Sequence, residues 1–168
     1  MEKSGGFDMS KMSMATKIIM GAGIVLFIDS FLQWQRVCFD FGAIGGGSHC
    51  GGFSAWGGSG SFFGLLMGLC MLALLAWEGI NTWGNAAGIK LPVSPSKASA
   101  YLGFGVVAFG VLKLLLVLTS DLKPSLFGWL GFILILAVGY GAWMKFQEPE
   151  SAMPPAAPSG GSDGGFSA

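Results

Sequence analysis

Three ionisable side chains fall inside or at the edge of long apolar runs: Asp29, Glu78 and Lys113. Charged groups are costly in hydrocarbon, so in a membrane segment they face a protein interior, a partner or water, and each marks a candidate functional position. Asp29 and Lys113 carry opposite charges and suggest an intramembrane ion pair. Two roles fit such a pair. It can fix how two helices dock, or it can relay a proton or an ion. A third arrangement has each group snorkelling to the surface independently. Glu78 stands beside Trp77 near the end of its run and is expected to reach interfacial water.

A second group is Cys38, His49 and Cys50, which share one glycine-rich segment. A Cys38–Cys50 disulfide, free thiols and a metal site are the alternatives. The disulfide would close a loop worth about 3 kcal/mol on the chain-entropy model. The metal reading lacks a fourth ligand and a recognised zinc spacing. Other chemistry is sparse. With one histidine, no Ser/His/Asp triad can be built at membrane depth, and no phosphate-binding loop or metal-ligand cluster is present. The chain is therefore expected to be non-enzymatic, with no catalytic residues, no metal and no cofactor.

The elements that position these groups follow from hydropathy. Only 11% of the 168 residues are charged, while 52% are hydrophobic. A water-facing domain carries roughly a quarter charged residues. Four runs approach the ~20 apolar residues needed to cross about 30 Å of hydrocarbon. They cover about 16–34, 61–80, 98–119 and 126–144. Backbone amides in lipid must bond internally, so each run is expected to be helical. No small-residue cleavage pattern follows the first run, which is read as retained and not as a signal peptide. The expected fold class is all-α: an integral membrane four-helix bundle with a Gly-rich external loop between spans 1 and 2. The domain organisation is an N-terminal segment (1–15), a four-span membrane domain (16–146) and a disordered Pro/Gly-rich tail (147–168).

Basic residues set the orientation. Lys3, Lys11, Lys17, Lys90, Lys97 and Lys145 fall on one side of a four-span chain, and Arg36 and Lys123 on the other. Six against two places both termini in the cytoplasm. At about 1.5 Å per residue, Asp29 lies roughly 20 Å beyond Thr16, and Lys113 about 22 Å beyond Ala98. Their matched depth predicts a direct or water-bridged pair. Asp29, Gln33 and Arg36 at i, i+4 and i+7 predict a polar stripe along the first helix. The external segment from Gln35 to Gly60 alternates glycines and aromatics. It fits a short hairpin packed on the helix ends or a mobile loop. Cys70, inside the second run, packs as a small apolar residue.

The run LFIDSFLQWQRV, a Gly/Ser-rich loop ending SAW, and GLLMGLCMLALLAWEG form a recognisable series. VLKLLL and FGWLGFILILAVGYGAWMKFQE before a Pro/Gly tail continue it. Together, over about residues 17–148, they resemble a group of uncharacterised four-span membrane proteins common in actinobacteria. In that group the first span tends to end in a Phe-Leu-Pro-Trp-like motif and the third carries a Lys. Here the motif is Phe31-Leu32-Gln33-Trp34, with Gln in place of Pro. The resemblance implies a multi-pass protein of a bacterial plasma membrane and brings no activity with it.

These readings lead to two functional expectations. The first is a scaffold, accessory subunit or envelope sensor that acts through its external loop or tail. Its partners would be the lipid bilayer and another protein or a second copy. The zero net charge gives no field for nucleic acid. The alternative is a small transporter or ion-conducting oligomer using Asp29 and Lys113.

Overall fold

A computed structural model describes residues 12–40, 47–83 and 93–148. The expected N-terminal segment up to residue 11, the middle of the second connection (84–92) and the expected tail beyond residue 148 lie outside the described residues.

Four helices form the body: α1 (Met14–Asp29), α2 (Ser61–Trp83), α3 (Pro95–Leu118) and α4 (Leu126–Gln147). α1 packs against α2 and α4, and α3 packs against the same two, so α1 and α3 stand diagonally across the bundle. α2, α3 and α4 are long and apolar enough to cross a membrane, with mean hydropathy of 1.8 to 2.3. Only 28 to 33% of each apolar window is buried inside the protein. The outward faces carry Leu65, Leu69, Leu72, Leu115, Ile133 and Leu136, all exposed. A helix hydrophobic on every side requires an apolar medium around it. The inner faces close on a core of Ile19, Leu26, Met67, Met71, Leu74, Val106, Ile135 and Val138.

α1 has 16 residues, about 24 Å of helix, and is shorter than the others. The expected first span continued to Trp34. The helix instead stops at Asp29, because Ser30 turns its hydroxyl onto the Phe27 carbonyl at 2.6 Å. Local side-chain bonding of this kind competes with helix continuation.

The all-α expectation is also incomplete, because the first connection forms a sheet. β1 (Gln35–Asp40) pairs antiparallel with β2 (Ser48–Phe53) and with the two-residue β3 (Lys123–Pro124), giving the order β2-β1-β3. Of the two states open to this connection, the described part is the hairpin packed on the helix ends. It is tied to the helix ends by backbone bonds: Trp34 N–H to the Phe53 carbonyl (2.9 Å), Ala55 N–H to Ser30 (3.0 Å) and Ser125 N–H to Trp34 (2.9 Å). Gly58 and Gly60 take φ of 67° and 71°, a region that L side chains rarely adopt. They let the chain turn from the sheet into α2.

Candidate functional site

The polar groups of the bundle gather at its two ends. At the sheet end, residues 57–59 lie over the tip of α3. Lys113 is fully buried, and its ammonium donates to the Gly57 and Ser59 carbonyls, both at 3.2 Å. Gln35, also fully buried, brackets Ser59. Its Nε2 donates to the Ser59 carbonyl at 2.9 Å, and its Oε1 accepts from the Ser59 N–H at 3.0 Å. The Ser59 carbonyl thus accepts from both a sheet residue and a helix residue. Lys113 satisfies its charge with backbone dipoles of the connection.

Asp29 takes a different partner. It is 3% exposed, and its Oδ2 accepts from the Trp34 indole N–H at 3.0 Å. The same N–H also lies 3.0 Å from the Asp29 carbonyl. The Trp34 ring fills the space above Gly131 of α4, where an added Cβ would stand 2.3 Å from the ring. The second carboxylate oxygen, Oδ1, has no hydrogen-bond partner among the described residues. Among the described residues no ion pair joins Asp29 to Lys113. Their helices are diagonal, so matched depth does not bring the side chains together.

The expected helical stripe through Gln33 and Arg36 is likewise not formed, since both residues follow the end of α1. Gln33 is exposed, and its carbonyl accepts from the Ser125 hydroxyl. Arg36 lies in β1, opposite Gly52 on one side and Lys123 on the other. Cys38 and Cys50 are direct partners in the β1–β2 register and form a disulfide.

The opposite end holds a second cluster. Glu78 was expected to reach interfacial water, yet it is 1% exposed. Its Oε2 accepts from the Thr16 hydroxyl at 3.0 Å and lies 3.8 Å from the Lys145 ammonium. Lys145 also stands 3.7 Å from Glu148, whose Oε2 accepts from the Ser96 hydroxyl at 3.0 Å. All four helices, or the residues directly flanking them, contribute to this knot. Glu78 Oε1 has no hydrogen-bond partner among the described residues. Nothing in the sequence spacing links Thr16, Glu78 and Lys145. A polar residue on an otherwise apolar face at the same end of three helices is the one signal that could have grouped them.

The two clusters are separated by an apolar core. Ile19, Leu26, Met71, Leu74, Ile135 and Val138 are each at most 2% exposed. A small, shallow recess opens between α1 and α2 and is lined by Leu26, Phe27, Ser30, Met67, Gly68 and Met71. No group of metal-ligating side chains occurs among the described residues. No protein family, curated protein or solved structure matches this chain.

Proposed function

We propose that this chain is a non-enzymatic, four-span protein of a bacterial plasma membrane, with both termini in the cytoplasm. It presents the disulfide hairpin outside the cell as a fixed contact surface, in the role of a scaffold, accessory subunit or envelope sensor. One observation carries the reading: the hairpin is tied to the bundle through Gln35, Ser59 and Lys113. A buried lysine committed to two loop carbonyls orders the connection at the expense of desolvating a charge. Such a connection is suited to recognition, because its conformation is set before any partner arrives.

α1 is the shortest of the four helices. Its 16 residues leave a few ångströms of hydrocarbon to be met by local thinning or by the aromatic turn Phe31–Trp34. The six-to-two basic count supports the orientation. The resemblance to actinobacterial four-span proteins agrees with this topology.

The transport alternative draws on Asp29 Oδ1 and Glu78 Oε1, two buried carboxylate oxygens without hydrogen-bond partners among the described residues. The apolar core between them speaks against a polar path through one copy of the chain. The test uses single reporter cysteines in a Cys-free background, labelled from outside with a membrane-impermeant maleimide. A reporter at Ser48 should react in intact cells, and one at Gln147 only after permeabilisation. A photo-crosslinking residue at Phe39 should then give discrete protein adducts that one at Leu72 does not. Labelling at Gln147 from outside would reverse the orientation. Identical adduct patterns at Phe39 and Leu72 would remove the hairpin from the recognition role.

A further inference from the structure

Two of the three residues expected to form a stripe on α1, Gln33 and Arg36, come together at the sheet with a residue that sequence spacing did not associate with them. Arg36 and Lys123 are direct partners across the β1–β3 ladder, so both side chains leave the same face of the sheet. Both are exposed. Like charges placed directly opposite each other repel. Among the described residues neither has an acidic partner. Asp121, two residues before Lys123, makes no ion pair with either. On the other side of Arg36 stands Gly52. There the Gln33 side chain lies across the position a Cβ would occupy, with its amide carbon 2.6 Å from that point. A guanidinium, an ammonium and a side-chain amide therefore stand in a row on one sheet face, all able to donate and, among the described residues, with no side-chain acceptor.

The row also sits at a defined place. Lys123 precedes the start of α4 by three residues, and the first turn of that helix exposes Leu126 (76%) and Trp129 (47%). An apolar side chain and a tryptophan on the outward side mark the boundary between hydrocarbon and headgroups. Along the chain, Lys123 therefore stands within three residues of that boundary.

We propose that Gln33, Arg36 and Lys123 form a binding site for the phosphate of an anionic phospholipid in the outer leaflet. The lipid supplies the counter-charge that the fold withholds. Arg36 offers a planar pair of donors to two phosphate oxygens, and Lys123 adds a second positive charge. This rests on the membrane reading above.

The experiment titrates short-chain phosphatidylglycerol into the detergent-purified full chain and counts bound lipid by native mass spectrometry. Phosphatidylcholine serves as the neutral control. The wild type should hold one phosphatidylglycerol more tightly than phosphatidylcholine. Arg36→Gln with Lys123→Gln should weaken that adduct by about tenfold or more. Lys17→Gln, at the other end of the bundle, should leave it unchanged. A second variant, Arg36→Glu, places a carboxylate opposite Lys123. It should abolish the adduct while raising the melting temperature, because the protein then carries its own counter-charge. Equal retention of both lipids, or an unchanged adduct in the double variant or in Arg36→Glu, overturns the site. Displacement by millimolar inorganic phosphate at parity would make it a free-anion site and overturn the lipid assignment. Failure of the membrane reading is read separately, as release of the chain from membranes by alkaline carbonate without detergent.

Discussion

The indole N–H of Trp34 lies 3.0 Å from both the carbonyl and a carboxylate oxygen of Asp29, five residues earlier. This contact closes the end of α1, and the ring it fixes fills the hollow left by Gly131 on α4. Trp34→Phe removes the donor together with the part of the indole that covers Gly131. Leaving a buried acceptor unsatisfied costs about 1–3 kcal/mol. The variant should therefore melt lower in detergent by a shift of that size. Gly131→Ala should destabilise as well, since its methyl group meets the ring. A Trp34→Phe melting temperature equal to wild type would show that the contact contributes no stability.

Asp29 and Lys113 have separate partners, so their substitutions should act independently. Asp29→Asn alters only the Trp34 contact. Lys113→Met releases only the Gly57 and Ser59 carbonyls. Effects at sites with no shared partner add to within about 0.3–0.5 kcal/mol. Chemical unfolding of the two single variants and the double variant measures the sum. A double variant more stable than Lys113→Met alone would restore the direct pair.

Lys113→Met should loosen the connection more than it loosens the bundle. Hydrogen bonds to charged groups contribute about 1.5–3 kcal/mol, and this side chain makes two. Hydrogen exchange read by mass spectrometry should speed up over residues 57–60 and change little in the centre of α4. Uniform acceleration across the chain would assign Lys113 to the global core.

The Cys38–Cys50 bond locks the β1–β2 register at a separation of 12 residues. Intact mass after alkylation should show two added labels only after reduction, with Cys70 counted separately in a Cys70→Ala background. Reduction should lower stability by about 3 kcal/mol on the loop-entropy model. Alkylation of both cysteines without reductant would exclude the bond.

Glu78 is held by Thr16 and Lys145 at the far end. Lys145→Met removes the cation and strands a buried carboxylate, which costs about 3–5 kcal/mol when an ion pair is broken from one side. Glu78→Gln together with Lys145→Met removes both charges and should recover much of that loss. Thermal unfolding of the single and double variants in detergent tests this. A double variant no better than Lys145→Met would show that the two charges are not coupled.

The helices were legible in the sequence because hydropathy is a local property. α2, α3 and α4 fall within three residues of the expected runs, since an apolar run in lipid has no other way to satisfy its backbone. The Cys38–Cys50 pairing was legible as the leading alternative because both cysteines share one short segment. What the sequence could not supply was rotation about the helix axes and the neighbour each helix finds. Those depend on which side chains interlock, and they put α1 and α3 on a diagonal. Asp29 therefore met Trp34, Lys113 met the connection, and Glu78 was buried against Thr16 and Lys145. Gln33 and Arg36 left the helix because Ser30 bonded its own turn and the sheet drew the chain away. Only the register of β1 against β3, a contact between residues almost ninety positions apart, brought Lys123 to Arg36.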